Sequence, residues 1–284
     1  MFTNVLVGVE GGEGGRDALA LARELHGAGG ALTLAHVHGG YPIAGRASSI
    51  AYEQAERERA ELILASERMA AKVEAKLSSI GQPSVGRGLH LLAEQHSADL
   101  LVVGSSRRGL LGRVLLGDDT RAALDGAPCP VAVAPAGYAR APHALREIGV
   151  GYDGSPEAER ALAVARKLAA ERSVRLSVCQ VVELPPVLVS AVAEPLPEGG
   201  GEDLVAAVRA RLEQLGGLEA HAVYGQASEE LALYSASLSL LVLGSRSYGP
   251  LGRLVHGSTT RQLLRSGRCP LLVVERRLAG VDRL

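Results

Sequence analysis

The sequence predicts two tandem α/β units, each with a doubly wound, five-stranded parallel sheet covered by helices on both faces. Three observations support this fold class. Residues 100–113 return as residues 240–253, so a stretch of chain is repeated at an offset of 140 without insertion or deletion. The apolar runs are continuous, as in strands that are buried on both faces. These runs are separated by segments of helical periodicity, which is the order that produces a parallel sheet.

The repeat also includes the beginning of each unit. Residues 5–11 correspond to residues 148–154 at an offset of 143. A register that continues through apolar runs and glycine clusters indicates one structural unit used twice. The change of offset places the length difference in the middle of the unit, where loops vary most. We therefore predict two domains and a linker, at residues 1–138, 145–277 and 136–142.

Each element of a unit follows from its local pattern: apolar runs predict strands, and the periodic segments between them predict helices. In the second unit the predicted strands are 148–152, 174–182, 220–224, 240–243 and 270–274, and the predicted helices are 156–170, 203–215, 228–237 and 258–265. The first unit is expected to follow the same order. It has a longer second helix, from about Tyr52 to Leu77, and a third strand near Val85.

Each unit ends in a short apolar strand, at residues 131–134 and 271–274. Such a strand would be an exposed sheet edge in a single unit, and two copies on one chain can cover each other. We predict that the units pack face to face about a pseudo-twofold axis and pair these two strands.

Composition limits the range of partners. The chain has 284 residues, of which 47% are hydrophobic and 21% charged, enough to bury two ordinary cores. Its formal net charge is -1 with both signs interspersed, so neither nucleic acid nor an acidic membrane surface is favoured. Without a recognisable signal peptide or membrane span, we expect the cytoplasm. Cys129 and Cys269 occupy the same position of the two units and are expected to be small buried side chains.

In a doubly wound sheet, ligands bind beyond the carboxyl ends of the strands at the switch point, here strands one and four of each unit. In the second unit Asp153 and Gly154 follow the first strand, and Gly244 ends the fourth. Farther along, Ser258 and Thr259 open the last helix, whose N–H groups and positive dipole end favour a phosphate. A capped helix start without a ligand is the alternative. Neither G-x-x-x-x-G-K-[ST] nor G-x-G-x-x-G is present, so neither P-loop hydrolysis nor NAD binding is supported.

Both units resemble the universal stress protein family across nearly their whole length. In its ATP-binding members, a loop of the form G-x2-G-x9-G-[ST] follows an apolar strand and precedes a Cys-Pro dipeptide. The second unit has this spacing as Gly244-x2-Ser247-x9-Gly257-Ser258, and the first as Gly104-x2-Arg107-x9-Gly117-Asp118. The resemblance implies a tandem member with the adenine-nucleotide α-hydrolase-like fold. It also implies ATP, accompanied by Mg²⁺, as the ligand.

The same resemblance assigns roles to residues of the second unit. Asp153, preceded by Gly151 and Tyr152, is expected beside the ribose and phosphates. Val181 is expected to offer its backbone to adenine. The residues expected around the ribose and α-phosphate are Gly244, Ser245 and Ser247, those around the outer phosphates are Gly257, Ser258 and Thr259, and the expected phosphate clamps are Arg246 and Arg253.

The first unit departs further from the family pattern. Asp118 replaces a hydroxyl at the phosphate position, and two like charges about 5 Å apart cost roughly 1–3 kcal/mol. Arg107 places a side chain where the family has glycine. We predict that the first site is weaker or empty. The residues that correspond to the second site are Glu10, Val37, Gly104, Ser105, Arg107, Gly117 and Asp118.

Two classes of function remain. The first is a nucleotide-binding stress or regulatory module whose ATP occupancy alters its surface for a partner protein. The second is a nucleotide-free interaction protein that works through its dimer surfaces, and self-association is expected of the chain. No set of nucleophile, base and orienting group can be assembled from the motifs. ATP is therefore expected to be a bound ligand that is hydrolysed slowly at most.

Overall fold

Ten strands form one continuous sheet in the computed structural model, which describes residues 1–39, 47–105, 118–141, 144–183, 200–245 and 258–274. The strands are β1 (Phe2–Gly8), β2 (His26–His38), β3 (Lys76–Gly81), β4 (Leu100–Gly104), β5 (Val131–Ala134), β6 (Glu147–Gly151), β7 (Arg175–Val182), β8 (Glu219–Tyr224), β9 (Leu240–Gly244) and β10 (Leu271–Val274). The helices are α1 (Glu13–Leu25), α2 (Ala47–Ala71), α3 (Val85–Gln95), α4 (Asp118–Leu124), α5 (Pro156–Arg172), α6 (Gly200–Glu213), α7 (Ala227–Tyr234) and α8 (Ser258–Ser266).

The strand order is β3-β2-β1-β4-β5-β10-β9-β6-β7-β8. Each half therefore has the doubly wound order 3-2-1-4-5, with all neighbours parallel. This confirms the predicted fold class. The helices between successive strands return the chain to the starting edge, as parallel pairing requires.

The two halves meet through their last strands, as predicted. Strands β5 and β10 are antiparallel, with Leu272 opposite Ala132 and with Leu271 and Val273 opposite Val133 and Val131. This register maps onto itself when the two halves are exchanged, as a pseudo-twofold axis at the centre pair requires. The contact is edge to edge within one sheet, so the prediction of face-to-face packing was wrong. A shared sheet satisfies backbone hydrogen bonds that face-to-face packing would leave open.

The elements predicted for the second half agree with the structure to within a few residues. The third strand of the first half was predicted wrongly near Val85, because β3 lies earlier and Val85 begins α3. The Ser84 hydroxyl caps that helix by accepting the Arg87 N–H at 3.4 Å. The preceding helix ends at Ala71 and does not reach Leu77. Since β3 is an edge strand that pairs only with β2, its apolar pattern is weak.

Two apolar layers cover the faces of the sheet, and each layer runs through both halves. One contains Leu21 on α1 and Leu168 on α5. The other contains Leu124 on α4 and Leu264 on α8. All residues of β5 and β10 are buried. The junction between the halves is therefore part of the hydrophobic core, and the chain forms one core across its repeat.

The predicted linker is anchored to α1. The Asp17 carboxylate accepts the N–H groups of Gly137 at 2.8 Å and Ala139 at 2.7 Å. Arg140 forms an ion pair with Glu13, and Tyr138 is buried in the core. Burial raises the pKa of Asp17, although the two N–H groups oppose this effect. Residues 137–140 of the linker are thus held against α1.

None of the helices that the structure describes has both the length and the apolar composition of a membrane-spanning segment.

Candidate functional site

The switch point of each half lies where its first strand pairs with both the second and the fourth. In the first half β1 lies between β2 and β4, and in the second half β6 lies between β7 and β9. These are the strand ends at which ligands of doubly wound sheets bind. Because β5 and β10 are antiparallel, the carboxyl ends of the two halves lie at opposite edges of the sheet. The chain therefore presents two separate candidate sites.

In the second half a short loop holds Asp153 at the end of β6. The Asp153 Oδ1 accepts the N–H of Ser155 at 2.9 Å, and Ser155 Oγ in turn accepts the N–H of Ala158 at 3.1 Å. Gly154 has a φ of +78°, which favours glycine because a side chain strains that conformation. The Asp153 side chain is exposed. The loop therefore presents a carboxylate to solvent beside the first turn of α5.

The glycines that end the fourth strands have a packing reason of their own. A Cβ at Gly244 would lie 2.5 Å from the carbonyl oxygen of Glu157 on α5. A Cβ at Gly104 would lie closer still to the carbonyl oxygen of Gly14 on α1. Glycine is required at both positions because the first turn of a helix passes directly over the strand end. Sequence reasoning assigned these glycines to a ligand, and the helix backbone accounts for them without one.

The serines that follow these glycines are buried. The Ser245 N–H donates to the Val274 carbonyl at 2.9 Å, and the Ser105 N–H donates to the Ala134 carbonyl at 2.9 Å. These bonds extend the pairing of the fourth and fifth strands by one residue. The Ser105 Oγ is buried, and among the described residues it has no hydrogen-bond partner. A polar ligand atom or a water at this position would satisfy it.

Tyr152 is engaged with its own half of the core. Its side chain is 8% exposed, and its hydroxyl donates to the Glu159 carboxylate on α5. Burial, followed by this hydrogen bond, raises the pKa of Tyr152 to about 12. These contacts give the Tyr152 ring a structural role. Only its backbone, which donates to the Cys179 carbonyl at 2.9 Å, lies at the strand end.

Val181 and Val37 occupy corresponding places near the ends of the second strands. Val181 is paired with Val223 on β8, and Val37 is paired with Ile80 on β3. One strand outward from Val181, a groove of about 900 Å³ runs along the carboxyl half of β8. Its walls are formed by α6, β8 and α7, and its lining includes Val205, Ala206, Arg209, Tyr224 and Glu230. Sequence reasoning missed this groove, because it depends on how far α6 lies from the sheet.

The last helices begin where the loop spacing predicted, α8 at Ser258 and α4 at Asp118. In the first half Thr120 Oγ1 donates to the Gly104 carbonyl at 2.9 Å, which ties the first turn of α4 to the end of β4. The side chain of Asp118 is 99% exposed, and its carboxylate lies 3.6 Å from Arg121 Nη2. In the second half Thr260, the counterpart of Thr120, is also buried.

The acids at the ends of β1 and β6 have different surroundings. Glu10 is exposed, and its Oε1 lies 3.2 Å from the place that a Cβ at Gly14 would occupy. The Glu10 carboxylate thus lies over the first turn of α1, where the helix dipole favours negative charge. In the second half Glu157 takes the place of Gly14 and pairs with Arg160 at 3.1 Å. Asp153 is the shorter acid.

The structure brings together at the second switch point the ends of β6 and β9, with Gly151, Asp153, Gly244 and Ser245. Thr259, in the first turn of α8, is half-buried. The part of the chain that the structure describes contains no group of three or more metal-ligating side chains. The expected site residues that lie outside the described residues are Arg107, Gly117, Arg246, Ser247, Arg253 and Gly257, together with the side chain of Ser258.

Comparisons with known proteins agree with this architecture. The model of the universal stress protein family matches residues 1–135 and again residues 144–275. A universal stress protein of Mycobacterium tuberculosis strain H37Rv is 35% identical over 185 residues, a match that covers 63% of this chain and 62% of that protein. One from Thermus aquaticus is 30% identical over 146 residues, covering 46% of this chain and 98% of the relative.

Among solved structures, a universal stress protein from Archaeoglobus fulgidus superimposes with a TM-score of 0.68 at 19% identity, covering 97% of this chain and 99% of that structure. A protein of unknown function from Pseudomonas aeruginosa PAO1 has a TM-score of 0.60 at 17% identity, covering 96% and 92% of the two chains. These likenesses bear out the fold. With the family matched over both halves, the chain belongs to the universal stress protein family and carries its domain twice in tandem.

Proposed function

We propose that this protein is an adenine-nucleotide-binding regulatory module whose main site is in the second half, within domains that we place at residues 1–138 and 145–277. The observation that carries the proposal is the exposed Asp153 carboxylate at the end of β6, next to the end of β9 at Gly244. The last helix, α8, begins with hydroxyl residues in the same half. An acid at a strand end and a helix start, whose first N–H groups have no partner within the helix, are complementary to ribose and phosphates.

Each part of the nucleotide has a candidate partner. The ribose and the inner phosphate are assigned to Asp153 and the strand end at Gly244 and Ser245. The outer phosphates are assigned to Ser258 and Thr259, with Arg246, Ser247, Arg253 and Gly257 completing the loop on sequence grounds. An exposed carboxylate beside phosphates requires a cation, and the Mg²⁺ that accompanies ATP supplies one.

The base is assigned to the neighbourhood of Val181. The groove beside β8 lies one strand outward from this residue and provides apolar surface at Val205 and Tyr224. Adenine needs an apolar or aromatic surface and a few backbone hydrogen bonds. The second half thus offers a base position as well as a phosphate position on the same edge of the sheet.

The first half is proposed to bind nucleotide more weakly. The Asp118 carboxylate lies in the first turn of α4, at the place where α8 has the hydroxyl of Ser258. A carboxylate at this position repels a phosphate, and each 1.4 kcal/mol of repulsion reduces affinity about tenfold.

ATP is proposed to be a bound ligand and not a rapidly consumed substrate. The sequence lacks the lysine of a P-loop, and its motifs do not supply a set of nucleophile, base and orienting group. Binding to the folded state alone should stabilise it by about 2.7 kcal/mol at a hundredfold excess of ligand over Kd. Hydrolysis should stay far below the typical enzyme turnover of about 10 per second.

The test is calorimetric titration of ATP and Mg²⁺ into the full chain, its Asp153→Ala variant and its Glu10→Ala variant. Asp153→Ala should lower the affinity about tenfold or more, and Glu10→Ala should leave the stronger site unchanged. Gly257→Val should abolish binding at that site, and Gly117→Val is its matched control in the first half.

Absence of any ATP binding to wild-type protein stripped of ligand would reject the proposal in favour of a nucleotide-free interaction protein. Phosphate release near 10 per second that disappears in Asp153→Ala would show an ATPase instead.

A further inference from the structure

The long helix α2 has two opposite faces of different character. Ala60 and Leu64 on one face are buried against the sheet, with exposures of only 1%. The other face exposes three large apolar side chains, Tyr52 at 55%, Leu62 at 72% and Met69 at 75%. Single exposed apolar residues are ordinary on protein surfaces, but several on one helix face mark an interaction site.

The exposed face repeats with the period of a coiled coil. Counting along the helix in alternating steps of three and four gives one continuous row of exposed residues, which we call the α2 seam. It consists of Tyr52, Ala55, Arg59, Leu62, Ser66 and Met69. Steps of three and four keep a row on one side of a helix and allow it to pack into a facing helix.

Among the residues that the structure describes, the seam occurs in the first half only. The corresponding helix of the second half, α6, has 14 residues against 25 in α2. Its exposed large apolar side chain is Leu204, at 42%. The repeat therefore does not require the seam, because the same fold is built in the second half with a shorter helix.

We propose that the α2 seam pairs antiparallel with the α2 seam of a second copy of this chain. Reversal of the row matches every member with a partner: Tyr52 meets Met69, Ala55 meets Ser66, and Arg59 meets Leu62. Large side chains then face each other at the ends and at the centre, and the small pair of Ala55 and Ser66 lies between them. Each of these contacts occurs twice about the twofold axis, as a symmetric dimer requires.

Charge favours this orientation and this occupant. In a parallel pair the two Arg59 side chains would face each other and repel. In the antiparallel pair Arg59 of one copy comes within reach of Glu58 of the other, which neighbours Arg59 in the chain. The helix carries five Glu against three Arg, so an anionic membrane surface is disfavoured as the occupant.

The last strands of the two halves are already used within the chain. The last strands β5 and β10 pair with each other within the chain and are not available to a second copy. A pair of single helices buries less than the roughly 800 Å² per partner of a standard interface. The dimer should therefore be concentration-dependent, with dissociation in the micromolar range.

The first experiment is sedimentation velocity on the full chain over a range of concentrations up to about 200 µM, with variants Leu62→Glu and Met69→Glu. Both lie on an exposed face, so their folding is expected to be unaffected, and each should raise the dimer Kd at least about tenfold. Leu204→Glu on α6 is the matched control and should leave the Kd unchanged. A wild-type chain that stays monomeric throughout, or that dimerises equally in all variants, would overturn the proposal.

The second experiment tests orientation. Arg59→Glu and Glu58→Arg should each weaken the dimer, and the double variant should restore it. Ala55→Cys chains mixed with Ser66→Cys chains should form a mixed disulfide, since the native cysteines that the structure describes are all buried. Ser66→Cys alone should crosslink poorly. Efficient crosslinking of Ser66→Cys to itself would contradict antiparallel pairing.

Discussion

The two halves share one backbone frame at their switch points and differ in the side chains placed on it. Gly11 and Gly154, which follow the first strands, both have a φ of +78°. Gly104 and Gly244, which end the fourth strands, both lie against the first turn of a helix. By contrast, α5 is capped by the Ser155 hydroxyl, whereas Gly12 begins α1 without a side-chain cap. Packing fixes the backbone at the two switch points, and the chemical difference between the halves lies in the side chains of a few loop positions.

The acid and its neighbour change together between the halves. In the first half the long Glu10 side chain lies over Gly14, which has no side chain to oppose it. In the second half the neighbour is Glu157, paired with Arg160, and the acid is the shorter Asp153. Both carboxylates are exposed. The Glu10 carboxylate lies over the first turn of its helix, whereas the Asp153 carboxylate accepts the N–H of Ser155, the residue that caps its helix.

The prediction with the largest expected effect concerns the shared frame. Gly104→Ala and Gly244→Ala should each lower the free energy of unfolding by about 3 kcal/mol, because the new Cβ meets a helix carbonyl oxygen. Gly39→Ala is the control, since a Cβ there meets no atom of the described residues within 4 Å. Urea unfolding measures all three. If the two halves responded very differently, the helix would not pass over the strand end in the same way in both.

The second prediction concerns the stability that the linker gains from its anchor on the first half. Asp17→Ala leaves the N–H groups of Gly137 and Ala139 without their acceptor, which should cost about 1–3 kcal/mol. The corresponding residue of the second half is Arg160, which pairs with Glu157. Urea unfolding should therefore show a smaller loss for Arg160→Ala. Equal losses would mean that the linker contacts contribute little.

The pH dependence of this loss has a definite sign. The pKa of Asp17 is raised above its ordinary value of 3.8, chiefly by burial. The folded state therefore binds the proton more readily than the unfolded state, and this group adds stability as the pH falls from neutral through the raised pKa. The stability difference between wild type and Asp17→Ala should grow over that window. A difference that shrinks on acidification would contradict the raised pKa.

The third prediction concerns the difference in ATP affinity between the two halves, which it should reduce. Asp118→Ser gives α4 the hydroxyl that α8 has at Ser258, and should strengthen ATP binding to the first half up to about tenfold by removing a like charge. Its control is Asp119→Ser, one residue farther into the helix. Titration in a Gly257→Val background isolates the first site. Unchanged affinity there would locate the defect elsewhere in the loop.

The smallest effect is expected at Tyr152. Tyr152→Phe removes the hydrogen bond to Glu159 and should lower the free energy of unfolding by about 1 kcal/mol. It should also abolish an alkaline titration near the pKa of about 12. ATP affinity should not change, because the hydroxyl is engaged with α5. A clear loss of ATP affinity would place this ring at the nucleotide after all.

The central strands common to both halves could be predicted because their apolar sequence pattern reflects how deeply they are buried. The continuous apolar runs at β6 and β9, buried between neighbours on both sides, located those strands and the switch point between them. The edge strand β3 was not located, because its residues are only half-buried and its pattern is correspondingly weak. Edge strands have one neighbour and need fewer apolar residues.

The sequence predicted where the candidate site lies, but it did not predict why each residue is needed there. Gly104 and Gly244 were recognisable as parts of a motif. The motif alone does not show whether each glycine makes room for a ligand or for a helix. Asp17 gave no signal along the chain, because its partners Gly137 and Ala139 are far away in sequence. Exposure of Leu62 and Met69 likewise depends on which face of α2 meets the sheet.

The sequence by itself determined the repeat, the doubly wound order of each half and the pairing of the last strands. These features follow from the apolar pattern of buried strands and from the constant offset between the two repeats, both of which can be read from the sequence. Only the tertiary structure decided that this pairing gives one continuous sheet and not two facing sheets, that α1 and α5 require Gly104 and Gly244, and that α2 presents an apolar row to solvent. These depend on distances between residues remote in sequence, which periodicity along one chain does not record.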